Sequence, residues 1–357
     1  MQTLSSGFVP PFCPNRACAR HTAPDPDAFR RHGSFHVACR PRPEQRFRCT
    51  TCRRTFSRQT FRHDRGERRP ETNVDVFKLL TSGVGLRQTG RYVGLSLRAV
   101  QGKLRRMAAT CRSLHRHLCR RLPGGRMFQL DEEETFEHAS IRTVTLPVCI
   151  ERDSRLWITT GTGRIRRLAK QGSARRERQD REEAKHGLRP DESRQVVERA
   201  LGQLRRLVPT GPVLLQTDEK PSYSVIARKL FGDRLHHDQT PGRRTRSTRN
   251  PLFAINHTLT MSRDNNGRLR RRSWLVSKCR HWLQRQLHLY VVYRNYVRRR
   301  FNRDPKAYTP ARMLELLPRE LSPAEVLRWR QDWGRCSIHP MCLAEPRTFR
   351  QISRESA

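Results

Sequence analysis

In Met127-Phe128-Gln129-Leu130-Asp131-Glu132-Glu133-Glu134 an apolar, strand-like run meets an island of acid. The chain carries 74 Lys and Arg against 33 Asp and Glu, a formal net charge of +41, so carboxylates gathered behind a strand need a reason. Downstream, Arg142-Thr-Val-Thr-Leu-Pro-Val-Cys-Ile150 alternates and is β-branched, and residues 156–160 read as a returning strand. With residues 127–131 they predict a three-strand meander. Residues 161–191 are rich in Arg and Glu without periodicity, a charged loop or insertion. A helix over 192–207 gathers Val196, Val197, Ala200, Leu201, Leu204 and Leu207 on one stripe. Pro209, Gly211 and Pro212 stop it, and Val213-Leu-Leu-Gln-Thr217 reads as a buried strand ending in Asp218. The order β-β-β-α-β, with an Asp closing the first strand and another closing the fourth, predicts an α/β fold with a mixed sheet. A further long helix is expected over 273–300, with Leu275, Cys279, Trp282, Leu283, Leu287 and Tyr290 inward.

The charge points to a polyanion. A compact chain with this excess repels itself, and the phosphates of a nucleic acid would neutralise it while releasing counterions. No run approaches the ~18 consecutive apolar residues that span a bilayer, so a soluble cytoplasmic protein without a membrane partner is expected.

Residues 1–126 hold 27 Lys and Arg and 7 Asp and Glu before Pro123-Gly124-Gly125 punctuates the chain. Within them, Cys13-Pro-Asn-Arg-Ala-Cys18 and Cys49-Thr-Thr-Cys52 are two short cysteine pairs. Each can present two thiolates from a tight turn, and two such turns make a tetrahedral Zn²⁺ site that stabilises a small β domain. Cys39, His21, His32 and His36 lie between the pairs and are possible substitutes for Cys18. Further on, residues 74–80 and 86–93 read as helices, and Gly94-Leu95-Ser96 as a turn into a third that runs to about Met107. Gly90 is small where two helices approach, and Ser96 can cap the third. In this helix-turn-helix reading Arg98, Gln101, Lys103 and Arg105 face a major groove.

Cys-Pro-Asn-x-x-Cys, then Arg-Phe-Arg-Cys-x-x-Cys-x-Arg-Thr-Phe-Ser-x-x-Thr-Phe over 46–61, the helix-turn-helix, Asp131-Glu132, Thr217-Asp218 with Tyr223, and Asn250 to Lys278 together carry a resemblance. The chain resembles the zinc-ribbon insertion-sequence transposases related to insertion sequence one, along nearly its whole length. The resemblance implies a zinc ribbon over 1–70, a helix-turn-helix DNA-binding region over 71–124, a ribonuclease-H-like catalytic domain over 125–302 and a tail of unassigned role over 303–357. Counting back from Arg268-Leu-x-Arg-x-Ser-x-x-x-Ser-Lys278 puts the family's third catalytic position, normally Glu, on Asn256, with a basic residue at Arg263. The triad is then Asp131, Asp218 and Asn256, a D-D-N variant of the DDE type, and Arg268 and Lys278 join the DNA-contacting residues.

Such a site implies two Mg²⁺ or Mn²⁺ ions for in-line attack on a phosphodiester, with Arg263 on a DNA phosphate. Glu219 and Asp264 are alternatives for the carboxylate that Asn256 lacks. The implied function is a DNA transposase of a bacterial insertion sequence that binds element ends and catalyses metal-dependent cleavage and strand transfer, as a homo-oligomer on nucleoid DNA. The alternative is a catalytically inactive, transposase-derived DNA-binding protein. The late aromatic residues Trp274, Trp282, Tyr290, Tyr293 and Tyr296 are expected mainly in the core, and Cys336, His339 and Cys342 form a weak further cluster.

Overall fold

The computed structural model describes residues 8–329 except 40, 63, 246 and 271–273. Near the amino terminus a short helix α1 (Ala19–Thr22) precedes three antiparallel strands, β1 (Phe29–Phe35), β2 (Glu44–Cys49) and β3 (Thr55–Ser57). Their core is small and aromatic: Phe12, Phe29, Phe47, Phe56 and Phe61 pack with the cysteine sulfurs, and Phe12 meets Phe61 edge-on at 5.3 Å.

Three helices follow, α2 (Asn73–Thr81), α3 (Leu86–Val93) and α4 (Leu97–Cys119). Gly94 ends α3 in the left-handed region at φ 65°, and the Ser96 hydroxyl caps α4 by accepting from Ala99 N at 3.2 Å. A Cβ at Gly90 would stand 2.5 Å from the Leu95 carbonyl oxygen, so this turn demands glycine there. The third helix extends well past Met107. Its second half, with Cys111, Leu114 and Leu118, enters the main core.

The larger sheet has five strands, β4 (Met127–Glu137), β5 (Ala139–Glu151), β6 (Gly163–Arg164), β7 (Val213–Asp218) and β8 (Leu235–Thr240), in the spatial order β6-β5-β4-β7-β8. The first three are antiparallel, and β7 and β8 run parallel to β4. Helices α5 (Ala174–His186), α6 (Ser193–Leu207) and α7 (Pro221–Phe231) connect them. Phe128 and Leu130 of β4 pack with α4, α6 and α7 on one face. On the other, Val148 and Ile150 of β5 meet α8 (Phe253–Asn265) and α9 (Arg280–Val292). The alternation along β4 puts Gln129, Asp131 and Glu133 on that second face.

Three expectations change. Residues 156–160 form no strand beyond the single bridge Ile150↔Trp157, because past it the Cys149 N–H donates to the Thr159 hydroxyl at 3.0 Å and the Ile158 carbonyl accepts from His115 at 2.9 Å and Gln203 at 3.1 Å. The third strand is instead the two-residue β6. The late helix begins at Arg280, passes into a π-helical turn at Tyr293–Val297, and leaves Leu275 and Cys279 ahead of it. Trp274, expected in the core, is 93% exposed. Past residue 300, α10 (Pro310–Met313) packs on the π-helical turn and α11 (Pro323–Arg328) on α2 and α4, and the Trp329 ring meets His117 at a tilt, with ring centroids 5.0 Å apart. Cys336, His339 and Cys342 lie outside the described residues.

Candidate functional site

The four paired cysteines converge. Cys13 Sγ lies 3.5 Å from Cys52 Sγ and Cys18 Sγ 3.8 Å from Cys49 Sγ, and all four sulfurs fall within 4.8 Å of one another. A tetrahedron with Zn–S bonds of ~2.3 Å has edges of about 3.8 Å. These separations match it and are far from the ~2.05 Å of a disulfide. Four cysteines so close together can hold a zinc ion, and soft thiolates are the donors that zinc prefers. Two of the alternatives for Cys18 are engaged elsewhere: Cys39 donates to the Glu67 carbonyl at 3.2 Å, and His21 Nδ1 meets the Cys13 carbonyl oxygen at 2.7 Å.

The second site is built on the ladder between β4 and β7. Gln129 pairs with Gln216, so Asp131 and Asp218, each two residues on, stand side by side at the end of that parallel pairing and on one face. Proline at the first position of α7 starts a helix three residues past Asp218, which leaves Asp218 at a strand's carboxyl end. Buried Gln129, unnoticed in the sequence, ties the third element in. Its amide donates to Gln216 Oε1 at 3.0 Å and to the Pro251 carbonyl at 2.7 Å, while its oxygen accepts from Ile255 N at 2.9 Å. This clamp sets the first turn of α8 against β4, and Asn256 follows directly. Asp131, Glu132, Asn256, His257, Thr260 and Arg263 line a cavity of about 400 Å³.

Charge in the acidic island divides unequally. Glu132 turns to the opposite face, where it accepts from Lys220 Nζ, from Tyr223 Oη at 3.0 Å and from Thr145 Oγ1 at 2.8 Å. Fully buried Glu133 is held by Arg263, whose Nε donates to Oε1 at 2.8 Å. Asp131 and Asp218 make no ion pair among the described residues. Burial, reinforced by Asp218, Glu132 and Glu133, raises the Asp131 carboxyl to about 6 against the pull of the Glu132 N–H. Two adjacent carboxylates without a cation among the described residues are hard oxygen donors, the kind that divalent ions take, and Asn256 lines the same cavity as Asp131.

Several expected roles move. Arg263 reaches the cavity but is committed to Glu133. Lys103 does not face outward: it is 5% exposed, and its Nζ donates to Glu67 at 2.8 Å, to Asn73 Oδ1 at 2.6 Å and to the Arg69 carbonyl at 2.8 Å. Arg268 donates to Ser277 Oγ at 2.8 Å, and burial drives its guanidinium down to about 10, so it braces the loop after α8 and is no free surface cation. Arg98 and Arg105 are exposed on α4, and Lys278 lies exposed beside Trp274 near half-exposed Gln101. Glu219 and Asp264 are exposed and do not line the cavity. Among the described residues no helix is long and apolar enough to cross a membrane. Compared with protein-family models and with curated proteins, the chain gives no significant match.

Proposed function

We propose that this chain is a DNA transposase of the insertion-sequence type, with a ribonuclease-H-like catalytic domain and a D-D-N site of Asp131, Asp218 and Asn256. The observation that carries the reading is the register that sets Asp131 beside Asp218 on neighbouring parallel strands, both without a cationic partner among the described residues, with Asn256 on the same cavity as Asp131. The strand order β6-β5-β4-β7-β8, three antiparallel strands and then two parallel ones, is the order such a fold would have. The cysteine cluster, the capped turn between α3 and α4 and the charge of +41 support an assembly built for DNA.

In this reading Asp131 and Asp218 carry the negative charge that holds Mg²⁺ or Mn²⁺, and Asn256 adds a neutral amide oxygen. Bound divalent ions supply Lewis acidity and an activated water or 3′-hydroxyl at neutral pH. The Glu133–Arg263 pair fixes α8 on β4, and Glu132 with Tyr223 and Lys220 fixes α7, so the donors keep their positions. Exposed Arg98 and Arg105, with Lys278, meet phosphates. An amide cannot act as a base, and this feature of Asn256 favours the second reading, a silent DNA-binding relative.

One experiment separates the two. Purified protein is incubated with a supercoiled plasmid carrying the gene's native flanks and Mg²⁺ or Mn²⁺, beside Asp131→Ala and Asp218→Ala. Metal-dependent cleavage at the flanks by wild type and by neither variant is the expected result. Specific binding without cleavage, unchanged by either substitution, would leave the silent binder.

A further inference from the structure

Helices α4, α6 and α9 and the 160–162 loop enclose a cavity of about 680 Å³ that is unconnected with the carboxylates. Leu114 and Leu118 of α4 and Leu201 and Leu204 of α6 share a core with Phe128 and Leu130, the residues of β4 that alternate with Asp131. The two helices therefore lie on the sheet face opposite to Asp131.

The rim of this cavity is cationic and its interior is polar. Arg112 and Arg116 stand one turn apart on α4, and Arg206 faces them from α6. None of the three makes an ion pair among the described residues. The acidic wall residue, Glu198, is held by Lys229 at 2.7 Å. Burial, then repulsion from Arg112, Arg206 and Arg120, depresses the Arg116 guanidinium. Like charges gathered around a concavity cost stability unless an anion sits among them. Beside them, Gln203, whose amide nitrogen also donates to the Ile158 carbonyl at 3.1 Å, and Gln284, whose amide lies 3.4 Å from His288 Nε2, line the wall with amide and imidazole groups, and a volume of this size accommodates a small organic ligand.

We propose that this cavity binds a nucleotide, its phosphate on Arg112, Arg116 and Arg206 and its base edge against Gln203, Gln284 and His288. The nucleotide is either free or one residue of a bound DNA strand, and the chemistry of the site is the same for both. The inference is independent of the D-D-N reading, because neither arm of its test involves cleavage.

In the first arm the full chain is melted with inorganic phosphate and with a deoxynucleoside monophosphate, at ionic strength held constant with chloride. In the second, affinity for a duplex of unrelated sequence is measured against salt. Arg112→Gln/Arg206→Gln should melt at or above wild type without ligand, since repulsion is relieved. Gly202→Glu offers a second perturbation: a Cβ there stands 4.0 Å from Arg206 Nη1, so the new carboxylate occupies the anion's place. A free nucleotide as ligand predicts that the nucleotide raises the wild-type melting temperature and that both variants lose most of that rise. A DNA strand as ligand predicts a slope of log K against log salt that flattens by about 0.9 for each phosphate the variant no longer neutralises. Variants that match wild type in both the ligand-induced rise and the salt slope overturn the proposal.

Discussion

Lys103 separates what a helical repeat suggests from what the fold does with it. Replacing it with Met removes an ammonium that donates to Glu67, Asn73 and the Arg69 carbonyl inside a pocket where the Lys103 and Glu67 side chains are 6% and 3% exposed. Breaking such a buried pair by removing one partner costs about 3 to 5 kcal/mol, since the other charge stays behind desolvated. Arg106, at 3.0 Å from the second Glu67 oxygen and 36% exposed, still compensates in part, so the lower end, about 3 kcal/mol, is the expected loss. At roughly 2 °C per kcal/mol for a chain of this size, the melting temperature falls by about 6 °C. Urea unfolding of Lys103→Met, Glu67→Gln and the double variant should show the double costing less than the sum of the singles. Salt-dependent DNA binding supplies the contrast. Lys103→Met keeps the wild-type slope, whereas Arg105→Ala on the exposed side lowers it by about 0.9. A Lys103→Met protein of unchanged stability and reduced slope would refute this reasoning and restore Lys103 to the DNA-facing side.

Two further outcomes follow from the same geometry. One zinc per chain should be retained, and chelation or Cys49→Ser should unfold the β1–β3 unit, read as loss of its amide protection in hydrogen exchange; full protection without metal would show that the aromatic core suffices. Acid should destabilise the main core through His115, whose ring meets the Tyr296 hydroxyl at 2.8 Å and the Ile158 carbonyl at 2.9 Å and which burial, against the raising effect of that carbonyl, holds down to about 4. Its folded value lies below the ordinary ~6.5, so the unfolded chain binds more protons between those limits. Stability is full above ~6.5 and declines toward pH 4, by about 3 kcal/mol from this residue. Urea midpoints that do not decline for wild type over that window, or that decline equally for His115→Gln, would contradict the assignment.

The parts of the fold that hydrophobic pattern governs were legible in the sequence. The stripe from Val196 to Leu204 became α6, Val213 to Asp218 became β7, and the four cysteines met as their spacing implied. Features that depend on distant polar partners were not. Lys103 is drawn inward by Glu67, thirty-six residues away, and Arg263 is taken by Glu133 across 130 residues. Helix α5 hid in the charged insertion because it is held by ion pairs, Arg176 to Asp180 and Arg166 to Glu183, and buries little besides Gln179. The edge strand β8, Leu-His-His-Asp-Gln-Thr, lacks an apolar face and gave no signal. Gln129 was the most informative residue overlooked, a polar side chain two places before Asp131 and set between apolar Phe128 and Leu130. Its three hydrogen bonds bring β4, β7 and α8 together.

Mn²⁺ binding to the full chain, followed by calorimetry or electron paramagnetic resonance, tests most directly whether Asp131, Asp218 and Asn256 form one site. Asp131→Asn and Asp218→Asn should each abolish or greatly weaken binding, Asn256→Ala should weaken it, and Asn256→Glu should retain or tighten it, by the charge each adds or removes. Equal affinity in wild type and all four variants would show that the three residues do not form one metal site.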